Sequence, residues 1–348
     1  MHPRVLAAIA ANGGLITRAQ LLDLGLSPGE VRSQLRRRSG EDRPRWRILR
    51  RGVYTPAAHW DALDPYVGRP LLLARAAGLT ARRGWVLSHD SASHLLGLPV
   101  LHAAEAPVHL TRPGWTGAWT EYGVKHHLAR FAPDQVVESQ SVRALDRART
   151  AVDMGREHGF RPGLVSCDAA LRCGVTRTQL EEAAAIMDNW PGVRAARRAI
   201  DLADAGAETA LETLARELVW EAGIGDPDTQ FPLWTSRGLV WCDLQVGNHV
   251  IEADGRLKYA SPEHGGLSDD PARTVWEEKL RERAVTDRGV VVTRVVWEDL
   301  WGRQRHDAIA RLRRDHAESV ARYGRDLAVG LAHEAVDIRR RHGDRRTA

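Results

Sequence analysis

Val240-Trp-Cys-Asp-Leu-Gln-Val-Gly-Asn-His-Val-Ile-Glu-Ala-Asp-Gly-Arg-Leu-Lys-Tyr259 sets two runs of alternating apolar character on either side of Gly247-Asn248. That pair suits a two-residue hairpin turn. The turn dictates a register in which Val246 faces His249, Gln245 faces Val250 and Asp243 faces Glu252. Opposed carboxylates repel, and period-two alternation adds Asp254 to the face of Glu252. Three gathered acids call for a cation, and hard oxygen ligands suit Mg²⁺. Lys258 follows closely as a charge partner for a phosphate or an activated water. The pattern points to metal-dependent phosphodiester chemistry, or to the remnant of such a site.

Outward from the hairpin, an acidic helix is expected over Glu208–Trp220, with Leu211, Leu214 and Leu218 as its buried stripe and Glu208 and Glu212 sharing another face. After the hairpin come a loop at Ser261–Pro271, a helix over Thr274–Ala284 and an apolar strand over Gly289–Trp297. In this scheme Asp243 and Glu252 hold the metal, which polarises the phosphate and lowers the pKa of a bound water. Glu212 supports the metal or orients that water, and Lys258, Lys279 or Arg283 meets the charge that develops on phosphorus. The spacing Glu252-Ala253-Asp254 departs from an acid–spacer–lysine motif, so cleavage and mere retention of the geometry both stay open. A basic amphipathic helix from Asp307 to about Arg340 closes the chain, and its arginine-rich end reads as solvated, with phosphate contact as the sharper alternative.

The first sixty residues have a different character. Residues 4–12 read as a short helix, Thr17 caps a second through Leu22, and Ser27-Pro28-Gly29-Glu30 opens a third with a capping box. In the third helix Val31 and Leu35 point inward and leave Arg32, Arg36 and Arg37 outside. Trp46–Tyr54 alternates like a β-ribbon turning at Gly52. Three helices and a ribbon make a winged helix-turn-helix, whose third helix enters the major groove while ribbon residues such as Arg47, Arg50 and Arg51 grip phosphates. Nine arginines between Arg32 and Arg51, against Glu41 and Asp42, concentrate positive charge where double-stranded DNA would lie. A solvated basic helix serving protein contacts is the competing reading.

Between these ends the pattern is mixed. Helices are expected over Leu71–Leu79, Ser88–Leu96 (capped by Ser88), Asp146–Glu157, Gly163–Arg172 and Thr178–Ala203, the last interrupted near Pro191. Strands are expected over Pro107–Leu110, Gly123–Leu128 and Val136–Val142. No phosphate-binding glycine loop is present. Ser88-His89-Asp90 is no triad, because neighbours on one helix do not face each other. The pairs His89/His94 and His126/His127 lack metal-ligand spacing and read as ordinary histidines.

At 348 residues the chain exceeds one core. A formal charge of +5 and an excess of Arg over Lys suit phosphate partners, although a GC-rich genome yields the same excess. Three cysteines, odd in number and without a CxxC pair, argue against a disulfide framework or a zinc knuckle and fit a reducing cytoplasm. No run approaches the eighteen apolar residues of a membrane helix, so no membrane partner is expected.

The run Gly13-Gly-Leu-Ile-Thr-Arg-Ala-Gln-Leu-Leu-Asp-Leu-Gly-Leu-Ser27, the basic helix after it and Arg51-Gly-Val-Tyr54 resemble the N-terminal domain of AbiEi-like antitoxins. The resemblance continues loosely through Ser88–Leu98 and Val108–Pro113. It implies a winged-helix transcriptional repressor of a type IV toxin–antitoxin system, with a cognate toxin as partner. Residues 205–300 resemble the very-short-patch-repair branch of the restriction-endonuclease-like superfamily, in which an acid–x–Asp-Gly form is common. The expected chain is therefore a multidomain α/β protein: a winged helix over 1–65, an α/β middle domain over 66–203, a restriction-endonuclease-like core over 204–303 and a basic tail over 304–348. A DNA-binding regulator, a Mg²⁺-dependent endonuclease and a non-catalytic scaffold all fit this plan. The oligomeric state is left open.

Overall fold

The computed structural model describes residues 3–37, 40, 42–101, 106–115, 117–255 and 271–347. The chain is a mixed α/β protein of two compact units. The first comprises residues 1–166 and 180–197, the second residues 167–179 and 198–348. Among the described residues no helix is long and apolar enough to cross a membrane.

The first unit begins with α1 (Pro3–Ala11), β1 (Ile16–Thr17), α2 (Arg18–Asp23) and α3 (Pro28–Gln34), followed by the hairpin β2 (Trp46–Arg50) and β3 (Val53–Pro56). Both expected helix starts form. Thr17 and Gln20, then Ser27 and Glu30, make reciprocal capping boxes that satisfy amides the helices cannot bond internally. The three strands pair in the order β1-β3-β2, and Val5, Ile9, Ile16, Leu21, Val31, Trp46 and Tyr54 close a core beneath them. α3 is shorter than expected. It ends at Gln34, so Arg36 and Arg37 lie beyond it rather than on it.

Past α4 (Ala57–Ala62), which the sequence pattern did not suggest, come α5 (Gly68–Thr80), β4 (Val86–Leu87) and α6 (His89–Leu96). Then follow β5 (Val108–Pro113), β6 (Gly117–Glu121), β7 (Val124–Ala129), β8 (Val136–Ser139), β9 (Val142–Leu145) and α7 (Arg147–His158). The strands order as β6-β7-β5-β4-β9-β8. The single strand expected over 136–142 is a hairpin instead. Gln140 and Ser141 both have positive φ (48° and 63°), the mirror-image turn that matches strand twist. α8 (Phe160–Arg172), α9 (Arg177–Ala185) and α10 (Val193–Asp201) follow, with the expected break near Pro191.

The second unit is built on α11 (Ala210–Ala222), β10 (Asp228–Thr235), β11 (Gly238–Val246), β12 (His249–Ala253), α12 (Pro271–Thr286) and β13 (Val291–Val295). The sheet order is β10-β11-β12-β13, antiparallel until the last pair, which is parallel. Pairing across the central turn runs Val246↔His249, Gln245↔Val250 and Leu244↔Ile251, the register read from Gly247-Asn248. The loop expected over 261–271 lies, but for Pro271, outside the described residues.

The tail departs from expectation. It forms two helices, α13 (Gly302–Tyr323) and α14 (Val329–His342), separated after Tyr323 by Gly324 at φ 88°. The central turn explains the break. Asn248 Nδ2 donates to the Asp326 carbonyl (2.8 Å) and its Oδ1 accepts the Ala328 amide (3.0 Å). α14 then packs Leu331 and Ala335 against Phe231, Leu233, Cys242 and Val250. Two arginines near its basic end are tied down, since Arg339 and Arg346 reach Asp228 at 2.8 and 2.9 Å, while Arg340, Arg341 and Arg345 stay exposed as expected.

Gly247 has φ 59°, and a Cβ there would lie 2.4 Å from the Arg325 carbonyl oxygen. Gly247→Ala therefore combines a left-handed backbone cost of about 1–2 kcal/mol with a backbone clash. Chemical denaturation should show it to be more destabilising than Gly238→Ala, where a Cβ meets open space and only the backbone cost applies.

Candidate functional site

The second unit assembles part of the expected acidic site. Asp243 and Glu252 are the next residues outward from the Leu244↔Ile251 pair, and Asp243 Oδ2 accepts the Ala253 amide at 2.7 Å. Both acids are half-buried. Glu212 comes from the first turn of α11, where it is buried. Its Oε2 accepts the Glu208 amide (2.7 Å) and its Oε1 the Thr209 hydroxyl (2.9 Å), while Gln230 Nε2 lies 3.4 Å away. Glu208 precedes the N-cap Thr209, so it does not share a helix face with Glu212 as expected.

Burial, and next the Asp243 carboxylate, raise the Glu212 carboxyl from its ordinary range to about 7. Burial and Glu252 similarly push the Cys242 thiol well up. Acidic groups from α11, β11 and β12 are thus crowded together, and their oxygens are of the hard kind that alkaline-earth cations prefer. Asp254 is placed otherwise. Its carboxylate pairs with Arg294 (3.3 Å), which also holds Glu282 (2.7 Å), so its charge is already compensated. Lys258 lies outside the described residues. Lys279 and Arg283 are exposed on α12.

Of the arginines assigned to DNA, Arg32, Arg36, Arg37, Arg47 and Arg51 are exposed. Arg32 lies on α3, Arg36 and Arg37 follow it, and Arg47 sits on β2, 4.3 Å from the centre of the Trp60 ring. Arg50 is half-buried, and desolvation lowers its pKa.

A third constellation is not visible in residue spacing. In the first unit His89, His109 and His127 are buried, and one ligand atom of each lies within 4.8 Å of those of the other two. His109 Nδ1 is 3.0 Å from His127 Nε2, and the rings of His89 and His127 stack with centroids 3.9 Å apart. Ser88 occupies the N-cap of α6, but its side chain makes no capping bond; its Oγ meets His89 Nδ1 at 2.9 Å. Asp90 turns to other histidines: its Oδ2 reaches His158 Nε2 (2.7 Å) and His109 Nε2 (3.4 Å). Burial, then His127 and His109, push His89 well below its usual range. Burial takes His109 to about 4 against the pull of Asp90, and burial with His109 takes His127 to about 4. His94 and His126, also weighed from spacing, do not join the group. The missed signal was interleaving. His109 lies between Val108 and Leu110 on β5 and His127 between His126 and Leu128 on β7; the strands pair in parallel with His109 opposite Lys125 and Thr111 opposite His127.

No family model matches this chain. Two proteins of Mycobacterium tuberculosis are similar to part of it: uncharacterized protein MT2308 of strain CDC 1551 / Oshkosh and uncharacterized protein Rv2248 of strain ATCC 25618 / H37Rv. Each is 35% identical over 95 residues, covering 27% of this chain and 35% of the relative. The matched stretch thus spans about a third of the length of these relatives.

A carboxyl raised to about 7 ionises in the unfolded chain well before it ionises in the fold, so stability falls as pH rises from about 4.5 to 7 and the full penalty persists above. Glu212→Gln should remove it. Thermal unfolding is expected to show the variant more stable than wild type at pH 8, by on the order of 2–3 kcal/mol, with the gain vanishing by pH 4. Equal gains at both pH values would mean that Glu212 carries no such charge.

Proposed function

We propose that this chain is a DNA-binding regulator of the AbiEi-like antitoxin kind. The observation that carries the reading is the row of exposed arginines on and just beyond α3 and on the β2–β3 hairpin. The order helix, strand, helix, helix, strand, strand, with the sheet β1-β3-β2, is compatible with a winged helix-turn-helix and supports this reading. On this reading α3 presents Arg32 to the major groove, while Arg36, Arg37, Arg47 and Arg51 reach phosphates. Their planar guanidinium groups suit paired hydrogen bonds to phosphate oxygens. A protein of this kind has a cognate toxin as its second partner.

A second reading rests on a separate observation, the crowding of Glu212 and Asp243 that raises the Glu212 carboxyl. It makes the second unit a Mg²⁺-dependent endodeoxyribonuclease core of the restriction-endonuclease-like type, targeted by the first unit's arginines. Glu212, Asp243 and Glu252 would hold the ion, which when bound supplies positive charge to a phosphate oxygen and lowers the pKa of a bound water. Asp254, compensated by Arg294, would orient the end of β12 rather than join the ligand set.

For the regulator, the test is fluorescence anisotropy of labelled duplex DNA across a salt series. Each phosphate contact adds about 0.9 to the slope of log affinity against log salt. The double variant Arg36→Ala/Arg37→Ala should bind more weakly and lose about 2 from that slope. An unchanged slope would remove these arginines from the interface, and absence of binding by the wild type would leave an interaction scaffold. For the nuclease, supercoiled plasmid should be nicked only with Mg²⁺ or Mn²⁺. Asp243→Asn should abolish nicking and retain DNA binding, whereas nicking that survives in this variant would refute the site.

A further inference from the structure

We propose that His89, His109 and His127 form a binding site for one borderline divalent transition metal, of which Zn²⁺ is the natural probe. The site lies in the first unit and draws on none of the residues assigned above to DNA or to the carboxylate centre.

The donor set argues for this class of ion. Three imidazole nitrogens suit zinc, cobalt, nickel or iron and offer nothing to Mg²⁺. A tetrahedral zinc with Zn–N bonds of about 2.0–2.1 Å sets its ligand nitrogens about 3.3 Å apart. The His109–His127 pair is already at 3.0 Å, and all three ligand atoms lie within 4.8 Å, a gap that side-chain rotation closes. The backbone is arranged to hold the rings there. His89 has φ 49°, a left-handed conformation uncommon outside glycine. His109 and His127 stand on adjacent strands of the six-stranded sheet.

The surroundings supply the support that metal-bound histidines usually have. For His109 Nδ1 to turn a lone pair toward an ion, its proton must sit on Nε2, and there Asp90 Oδ2 waits at 3.4 Å. Asp90 is itself held by His158 at 2.7 Å. This is the carboxylate–histidine–metal arrangement that fixes the tautomer and raises ligand basicity. Ser88 Oγ plays a comparable part at His89 Nδ1. Ordinary hydrogen bonding accounts for the His109–His127 pair but does not call for a third imidazole stacked on it. His89 and His127 also line a cleft of about 210 Å³ together with Asp153, Arg156, Glu157 and Trp190. Three protein ligands beside a cleft leave the fourth position open, as in catalytic rather than structural zinc sites.

The test uses the full-length chain without an affinity tag, stripped with chelator and titrated with Zn²⁺ against a chromophoric competitor, and separately with Co²⁺ by visible absorption. Wild type should take up one Zn²⁺ per chain and give the intense d–d bands of low-coordinate Co²⁺. His109→Ala and His127→Ala should lose both signals, and His94→Ala, outside the group, should keep both. Asp90→Asn should bind about 10- to 100-fold more weakly. Should the histidine variants fail to fold, imidazole resonances of the wild type provide the readout, since Zn²⁺ must shift those of His89, His109 and His127. No uptake by wild type, uptake undiminished in His127→Ala, or imidazole resonances unmoved by Zn²⁺ would overturn the proposal.

Discussion

Arg149 in the first unit and Arg216 in the second are among the largest fully buried side chains, and taking such cations out of water is tolerable only with partners in place. Arg149 bonds Asp153 (3.0 Å) and the Arg130 carbonyl (3.0 Å). Arg216 bonds both oxygens of Asp168 (3.0 and 2.9 Å) and the Leu202 carbonyl (3.0 Å), with Asp204 at 3.2 Å. The second network also takes in Thr213, whose hydroxyl donates to Asp168 at 2.7 Å, and the Asp204 amide. Arg149 thus ties α7 to the end of β7 in one unit, and Arg216 ties together α8, α11 and the segment around Asp204 in the other. Removing one partner would leave an uncompensated buried charge, so the elements are locked by the cost of the alternative more than by the strength of the bond.

Against that requirement, the two unusual constellations stand out because they gather groups of one kind. Glu212 finds donors in the cap of its own helix, yet Asp243 remains close enough to raise its pKa. Of the three imidazoles in the first unit, His109 reaches the Asp90 carboxylate, which is shared with His158, while Glu157 and Asp153 act on His127 through charge alone. Arg294 shows how the same fold handles an acid that serves structure: Asp254 and Glu282 are both brought to one guanidinium. Perturbed titratable groups are enriched at binding and catalytic sites, and structural ion-pair networks perturb them too.

Local chemistry made much of this legible. The capping boxes at Thr17 and Ser27 need only residues three apart, and the Gly247-Asn248 turn fixed its register over a few residues. Helix lengths were less secure. α3 stops at Gln34 although the basic pattern runs on, and the tail breaks because Asn248, some eighty residues upstream, claims the backbone between α13 and α14. β6, exposed along its whole length, has no buried face to impose alternation. The histidine group was hidden for a related reason. Its members come from α6, β5 and β7, and a search for ligand pairs spaced along one element cannot find residues joined only by sheet pairing.

The two constellations also answer pH in opposite senses, which follows from the kind of group each contains. Neutral imidazoles held near 4 cost nothing at neutral pH, and stability tied to them is complete above about 6.5 and lost as pH falls toward 4, where the unfolded chain takes up protons first. Glu212 behaves conversely, favouring the fold below about 4.5 and penalising it as pH rises through 7. An imidazole cluster can therefore stand empty at neutral pH without electrostatic cost. A pair of crowded carboxylates cannot, and must keep a proton, accept a cation or draw on the stability of the surrounding sheet. The hydrogen bonds from Glu208 and Thr209 in the α11 cap offset that burial and charge crowding only in part, and the Glu212 carboxyl stays raised.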